Sequence, residues 1–148
     1  MPNKRTALLA IGLCMLLTAC GGSEPAARSH LAPDSLRVVR LSYSFDPYPP
    51  FDHVATDVAA VQGLYSLIES LPPFPRGIYA CPKDNGLRYR LAFTRASTLV
   101  LSAFAAAQGC QGIELSPQDD RMTTEAFWSL LARTLGVTTA ELVSPTRP

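Results

Sequence analysis

Between residues 57 and 71 apolar side chains return at helical intervals: Val58, Val61, Leu64, Tyr65, Ile68 and Leu71. That spacing lays one broad apolar stripe along a helix. Thr56 or Asp57 can accept the first free amides as its N-cap. Pro72-Pro73-Phe74-Pro75 ends it, because proline lacks the amide donor and crowds the preceding turn. Asn85-Gly86 marks a turn, and from Leu87 the period changes to two. Leu87, Tyr89, Leu91 and Phe93 alternate with Arg88, Arg90 and Ala92, the pattern of a half-buried strand with a basic outer side. Thr94 to Ser97 can turn the chain, and Thr98 to Ala107 reads as the second strand of a hairpin. Val100 and Phe104 fall on one side of it; Leu99, Leu101, Ala103 and Ala105 fall on the other. Being apolar on both sides it is expected in the middle of a sheet, although its alanine-rich end also suits a helix.

Three further segments complete the pattern. Leu36 to Ser44 is strand-prone with imperfect alternation, and Ile113 to Leu115 suits a short strand. Ser116 to Arg121 reads as a polar loop. Thr123 or Thr124 then caps a second helix running to Leu135, with Phe127, Leu130, Leu131 and Leu135 turned inward and Gly136 as its left-handed C′ residue. The order strand, helix, strand, strand, short strand, helix predicts an α+β fold, a small antiparallel sheet with two helices packed on one face.

The start of the chain has a different pattern. Lys4 and Arg5 precede an apolar run of 11 residues, Ala7 to Leu17. A membrane-spanning helix needs about 20, so the run suits the core of a cleavable signal. It closes on Leu17-Thr18-Ala19-Cys20, which resembles the lipobox of bacterial lipoproteins. That resemblance implies diacylglycerol on the Cys20 thiol, cleavage just before Cys20, palmitate among the acyl chains, and a domain held outside the cytoplasm. An ordinary secretory signal and an uncleaved anchor are the alternatives. Gly21 after the lipidated position implies the outer membrane where the host has one, and otherwise the cell membrane. Two acyl chains hold firmly, since each buried methylene contributes roughly 0.8 kcal/mol.

The expected organisation is therefore a signal peptide at 1–19, a flexible tether at 20–35, a single domain at 36–136 and a frayed C-terminal tail at 137–148. The tether is small, polar and proline-containing, and cannot bury enough area to offset ordering. The chain has 13 basic and 12 acidic side chains. Such near neutrality, together with export, argues against nucleic acid as a partner.

Cys14 lies in the signal and Cys20 at its end, which leaves Cys81 and Cys110. In an oxidising compartment such a pair forms a bridge. A metal pair would lack neighbouring ligands, and a redox pair is more usually Cys-x-x-Cys. In the predicted hairpin the two cysteines flank the open end, where a disulfide would staple it. The helix end at Leu71-Pro72-Pro73, the run Cys81-Pro82-x-Asp84-x-Gly86-x-x-Tyr89-x-Leu91-x-Phe93, and Gly109-Cys110 resemble small uncharacterised bacterial secreted lipoproteins over residues 58–115. This resemblance implies no activity and assigns no functional residue.

No serine-hydrolase elbow, phosphate loop, zinc-protease helix or haem-attachment motif occurs in the chain. Catalysis by His53, or by Asp46 with Asp52, would need partners brought in by folding. Asp119-Asp120 with Asp84 and Glu114 offers oxygen ligands, but the spacing matches no calcium loop, so the reading includes no metal and no cofactor. Arg88 and Arg90, side by side on one strand face, could clamp a carboxylate or phosphate or simply protect an exposed strand. The aromatic residues of the proline-rich segments, Tyr48, Phe51 and Phe74, complete a candidate binding face, although such rings commonly fold onto the core. The expectation is a lipid-anchored envelope protein with a non-enzymatic binding or accessory role, for which an envelope protein or peptide is the candidate partner. An envelope hydrolase is the alternative.

Overall fold

The structure is a computed structural model and describes residues 31–42, 48–77, 80–81 and 84–146. The signal, Cys20 and the tether as far as His30 lie outside the described residues. Six strands form one antiparallel sheet: β1 (Ser35–Ser42), β2 (Asp52–Ala55), β3 (Leu87–Arg95), β4 (Thr98–Ala106), β5 (Gly112–Ser116) and β6 (Asp119–Met122). Their order across the sheet is β2-β1-β3-β4-β5-β6, so the apolar strand β4 is central, as its composition predicts. Helices α1 (Val58–Ser70), α2 (Glu125–Leu135) and α3 (Thr139–Val143) complete the fold.

Register puts Leu36 opposite Phe93, Val38 opposite Leu91, Leu91 opposite Ala103 and Tyr89 opposite Ala105. All of these are buried, and together they make the inner face of the sheet. Both longer helices pack there. Val61, Leu64 and Ile68 of α1 and Phe127, Trp128, Leu131 and Ala132 of α2 are buried. Tyr65 meets the Phe93 ring edge-on at 5.5 Å, and Trp128 meets Tyr89 at 6.2 Å. The fold is thus α+β, with two packed helices and one disulfide. The caps follow the sequence: Asp57 accepts from Ala60 N–H, Thr124 accepts from Phe127 N–H, and Gly136 takes φ 70°.

Four local features differ from the sequence-based expectation. Ser116 to Arg121 is not a loop throughout. Asp119–Met122 is strand β6, whose outer edge is bonded by Phe74 N–H to Asp120 O and by Met122 N–H to Pro72 O. Two aspartates disfavour a strand locally, and these non-local bonds override that. Asp52–Ala55 adds the short edge strand β2 straight after the proline run. Residues 137–146 of the expected tail do not simply fray, since Thr138 and Glu141 form a capping box for α3 and Leu142 is fully buried. Finally, Leu99 does not share the side of Leu101. A bulge between the Phe93–Leu101 and Thr94–Leu99 pairs inverts the alternation and leaves Leu99 exposed.

The C-terminal helix is tied down by an arginine that the pattern does not reveal. Arg40 takes an inward position at the end of β1. Its Nε donates to Tyr89 Oη at 3.1 Å, and its terminal nitrogens donate to Pro49 O and Glu141 O, each at 2.8 Å. The guanidinium lies 4.9 Å from the Phe51 ring centre. One cation therefore joins β1, the segment before β2 and α3, which explains why the alternation of β1 breaks at this residue.

Candidate functional site

Among the described residues no helix lies over the outer face of the sheet. Its side chains follow from the period of two: Arg37 and Val39 on β1, Arg88 and Arg90 on β3, Phe104 on β4, Glu114 on β5 and Asp120 on β6. Register aligns Asp52, Val39, Arg90, Phe104, Glu114 and Asp120 in one row across all six strands. Phe104 is 38% exposed in the middle of that row.

At one end this bare face is bordered by the connection from α1 to β3. After Pro73 bridges to Arg121, the chain places Phe74 on the sheet. A Cβ at Gly112 would come within 3.3 Å of the Phe74 ring, so the missing side chain makes room for the aromatic. Farther along, Cys81 is bonded to Cys110 with a Cα–Cα distance of 4.9 Å. Ala107 N–H donates to Leu87 O, so the disulfide lies at the open end of the β3–β4 hairpin. Asp84 packs against Gly109, whose φ of 70° suits a residue without Cβ. Asp84 also accepts the Gly86 N–H at 2.9 Å.

A groove of about 230 Å³ lies between this strap and the sheet. The strap contributes Phe74, Cys81 and Asp84. The sheet contributes Arg88, Phe104, Ala106, Gly112, Glu114 and Asp120, and the β4–β5 turn contributes Gln108, Cys110 and Gln111. Three carboxylates and one guanidinium thus surround two aromatic rings. Glu114 and Asp120 are directly opposite one another on neighbouring strands, an arrangement of like charges that costs stability. Nevertheless, the described residues include no group of three His, Cys, Asp or Glu side chains able to hold a metal ion.

The candidate face anticipated from sequence divides in two. Arg88 and Phe74 meet in the groove. Arg90 is exposed on the same sheet face, one strand from Phe104. Tyr48 and Phe51 go elsewhere: they are only 7% and 8% exposed and belong to the core, so they are not available as a surface patch. Phe104, Ala106 and Gly112 were the lining residues that the pattern could not mark. The acidic set Asp84, Glu114 and Asp120 was visible in sequence, but its meeting with an arginine and two phenylalanines depends on the strap.

A second depression, of about 370 Å³, includes Arg40, Phe51, His53 and Glu141. His53 stacks on Phe51 at 4.2 Å. The Glu141 carboxylate accepts the Thr138 N–H and hydroxyl, each at 2.8 Å, and these bonds hold its pKa below the usual glutamate range. Arg40 is likewise committed to three oxygens. Asp52, next to His53, is engaged with Arg37, whose guanidinium lowers its pKa. These polar groups are used in holding the fold together at this end.

Comparison with protein families, with curated proteins and with solved structures finds no match to this chain. Among the described residues no helix is long and apolar enough to cross a membrane.

Proposed function

We propose that the chain is a lipid-anchored protein of the bacterial cell envelope that acts by binding an envelope protein or peptide, with the strap-bordered face of its sheet as the recognition surface. The observation that carries the binding role is the groove, where Phe74, Phe104, Arg88 and Glu114 share one lining. The lipobox resemblance at Leu17-Thr18-Ala19-Cys20 supports the anchor. The Cys81–Cys110 disulfide supports an oxidising compartment outside the cytoplasm. On this reading diacylglycerol on Cys20 holds the protein at the cell membrane or outer membrane, the residues after it give reach, and the disulfide fixes the strap.

The anchor is tested by labelling cells that express the full chain with palmitate. The label is expected in the membrane fraction with the intact chain, and Cys20→Ala abolishes both labelling and membrane retention. An unlabelled intact chain recovered in the soluble fraction contradicts the anchor. The binding face is tested separately by chemical crosslinking in the native envelope, comparing the intact chain with an Arg88→Gln/Arg90→Gln/Phe104→Ala variant. These three exposed positions are the suitable control, whereas alterations of 48–51 would disturb the core.

A further inference from the structure

We infer that the strap groove binds a small zwitterion, a free amino acid or a dipeptide, with its apolar side chain against Phe74 and Phe104. This inference depends on the groove being the recognition site, and is independent of the lipid anchor. Three observations lead to it.

The first is the disposition of charge. Glu114 and Asp120 face each other on adjacent strands, and neither has an ion-pair partner among the described residues. Outward carboxylates in direct register repel, and a guest cation converts that repulsion into attraction. An ammonium suits this pair, since each carboxylate can accept from one of its N–H groups. The second is Arg88, on the other side of β4 from Glu114 within the same groove. Its guanidinium suits bidentate capture of a carboxylate. An amine without a carboxylate would leave this charge facing another cation. The third is size and apolar lining. About 230 Å³ is below the roughly 300–1,000 Å³ of pockets that engulf drug-sized ligands, a size that suits a guest of one or two residues. Phe74 and Phe104 provide apolar walls, and their ring faces also favour a neighbouring ammonium.

The test is titration of the full chain in detergent with L-leucine, L-leucinamide, N-acetyl-L-leucine, Leu-Gly and Gly-Leu, followed by calorimetry and by NMR shifts. Leucine or a dipeptide is expected to bind at millimolar concentration or tighter, shifting the signals of Phe74 and Phe104. Capping either end is expected to weaken binding about tenfold, the scale of one charge-assisted contact. Arg88→Gln should make the acid and its amide bind equally, while preserving the preference for a free amine. Glu114→Gln should reduce the preference for a free amine and preserve the discrimination at the carboxylate. A merely structural role for either residue would not produce these crossed effects. Tighter binding of leucine than of either dipeptide identifies a free amino acid as the source; the reverse order identifies a dipeptide. No shift with any of the five compounds at roughly 10 mM, far above a millimolar dissociation constant, overturns the inference. So does binding that is indifferent to both caps. Either failure leaves crosslinking of a larger partner on the same face as a separate result.

Discussion

The two faces of this sheet are made by the same strands and have opposite fates. On the inner face Leu36, Val38, Tyr89, Leu91 and Phe93 are fully buried beneath α1 and α2. One residue away along each strand, Arg37, Arg88 and Arg90 are exposed. A period of two assigns the side chains to their faces, and the helices then cover one face only. The inner face therefore supplies stability through apolar burial. The outer face is free to hold charges, an exposed ring and a groove, because the fold does not rely on them. Arg40 marks the boundary: it occupies an inward position and donates to three oxygens.

The sharpest way to break the comparison is to truncate one ring on each face. Phe93→Ala, on the inner face, is expected to lose about 3–5 kcal/mol through lost burial and a residual cavity. Phe104→Ala, on the outer face, should stay within about 1 kcal/mol of the parent because the ring is already substantially exposed. Urea denaturation of the two variants measures the difference, and equal losses would remove the distinction between the faces.

The disulfide comes next in size, because it fastens the strap to the bare face. For a sequence separation of 29 residues, the chain-entropy account gives about 3–4 kcal/mol. The Cys81→Ser/Cys110→Ser variant should lose about that much stability and also lose binding in the groove. Hydrogen exchange should show increased opening around residues 84–86 and 108–112, with the α1–α2 layer protected up to the reduced global stability.

A smaller effect of opposite sign is expected at the hairpin tip. Ala96 and Ser97 have φ of 46° and 68°, values suited to a two-residue hairpin turn but strained for a residue with Cβ. Replacing the pair by Asn-Gly should raise stability by about 1 kcal/mol. Chemical denaturation checks this, and the groove should be unchanged.

The smallest expected effect concerns α3. The Thr138 N–H is the main cause that holds Glu141 below its ordinary pKa, followed by the Thr138 hydroxyl. A carboxylate with a depressed folded value contributes stability above its unfolded value, near pH 4.3. That contribution is lost as pH falls through the folded value. Glu141→Gln should therefore be less stable than the parent at neutral pH, and the difference should shrink on acidification below about pH 4.3. Stability measured from neutral to acidic pH checks the sign.

Much of the inner face was legible because periodicity reports burial directly. The α1 stripe, the alternation of β3, the Thr124 cap and Gly136 all act through local geometry. The Cys81–Cys110 bridge was legible from the two cysteines left beyond the signal, and the predicted hairpin agreed with it. By contrast, β6 and α3 were not legible. β6 is held by Pro72 and Phe74 from a distant segment, and α3 is short, without a repeating apolar pattern. The outer edge of β6 depends on non-local bonds, whereas α3 carries a local signal in its Thr138-x-x-Glu141 capping box. The groove was partly legible: Arg88, Phe74 and the acidic residues were visible as types, but their convergence required the strap. Tyr48 and Phe51 follow the commoner course for rings in a proline-rich segment and fold onto the core rather than forming a binding face.

The most direct test of the binding face places a photo-reactive amino acid at position 104, on the bare side of the sheet, and in a second chain at position 133, exposed on α2. Both full chains are illuminated in the native envelope. The account predicts a discrete adduct at position 104 that is abolished by Arg88→Gln/Glu114→Gln, and no such adduct at position 133. An adduct only at position 133, or equally at both positions and indifferent to the groove substitutions, would contradict it.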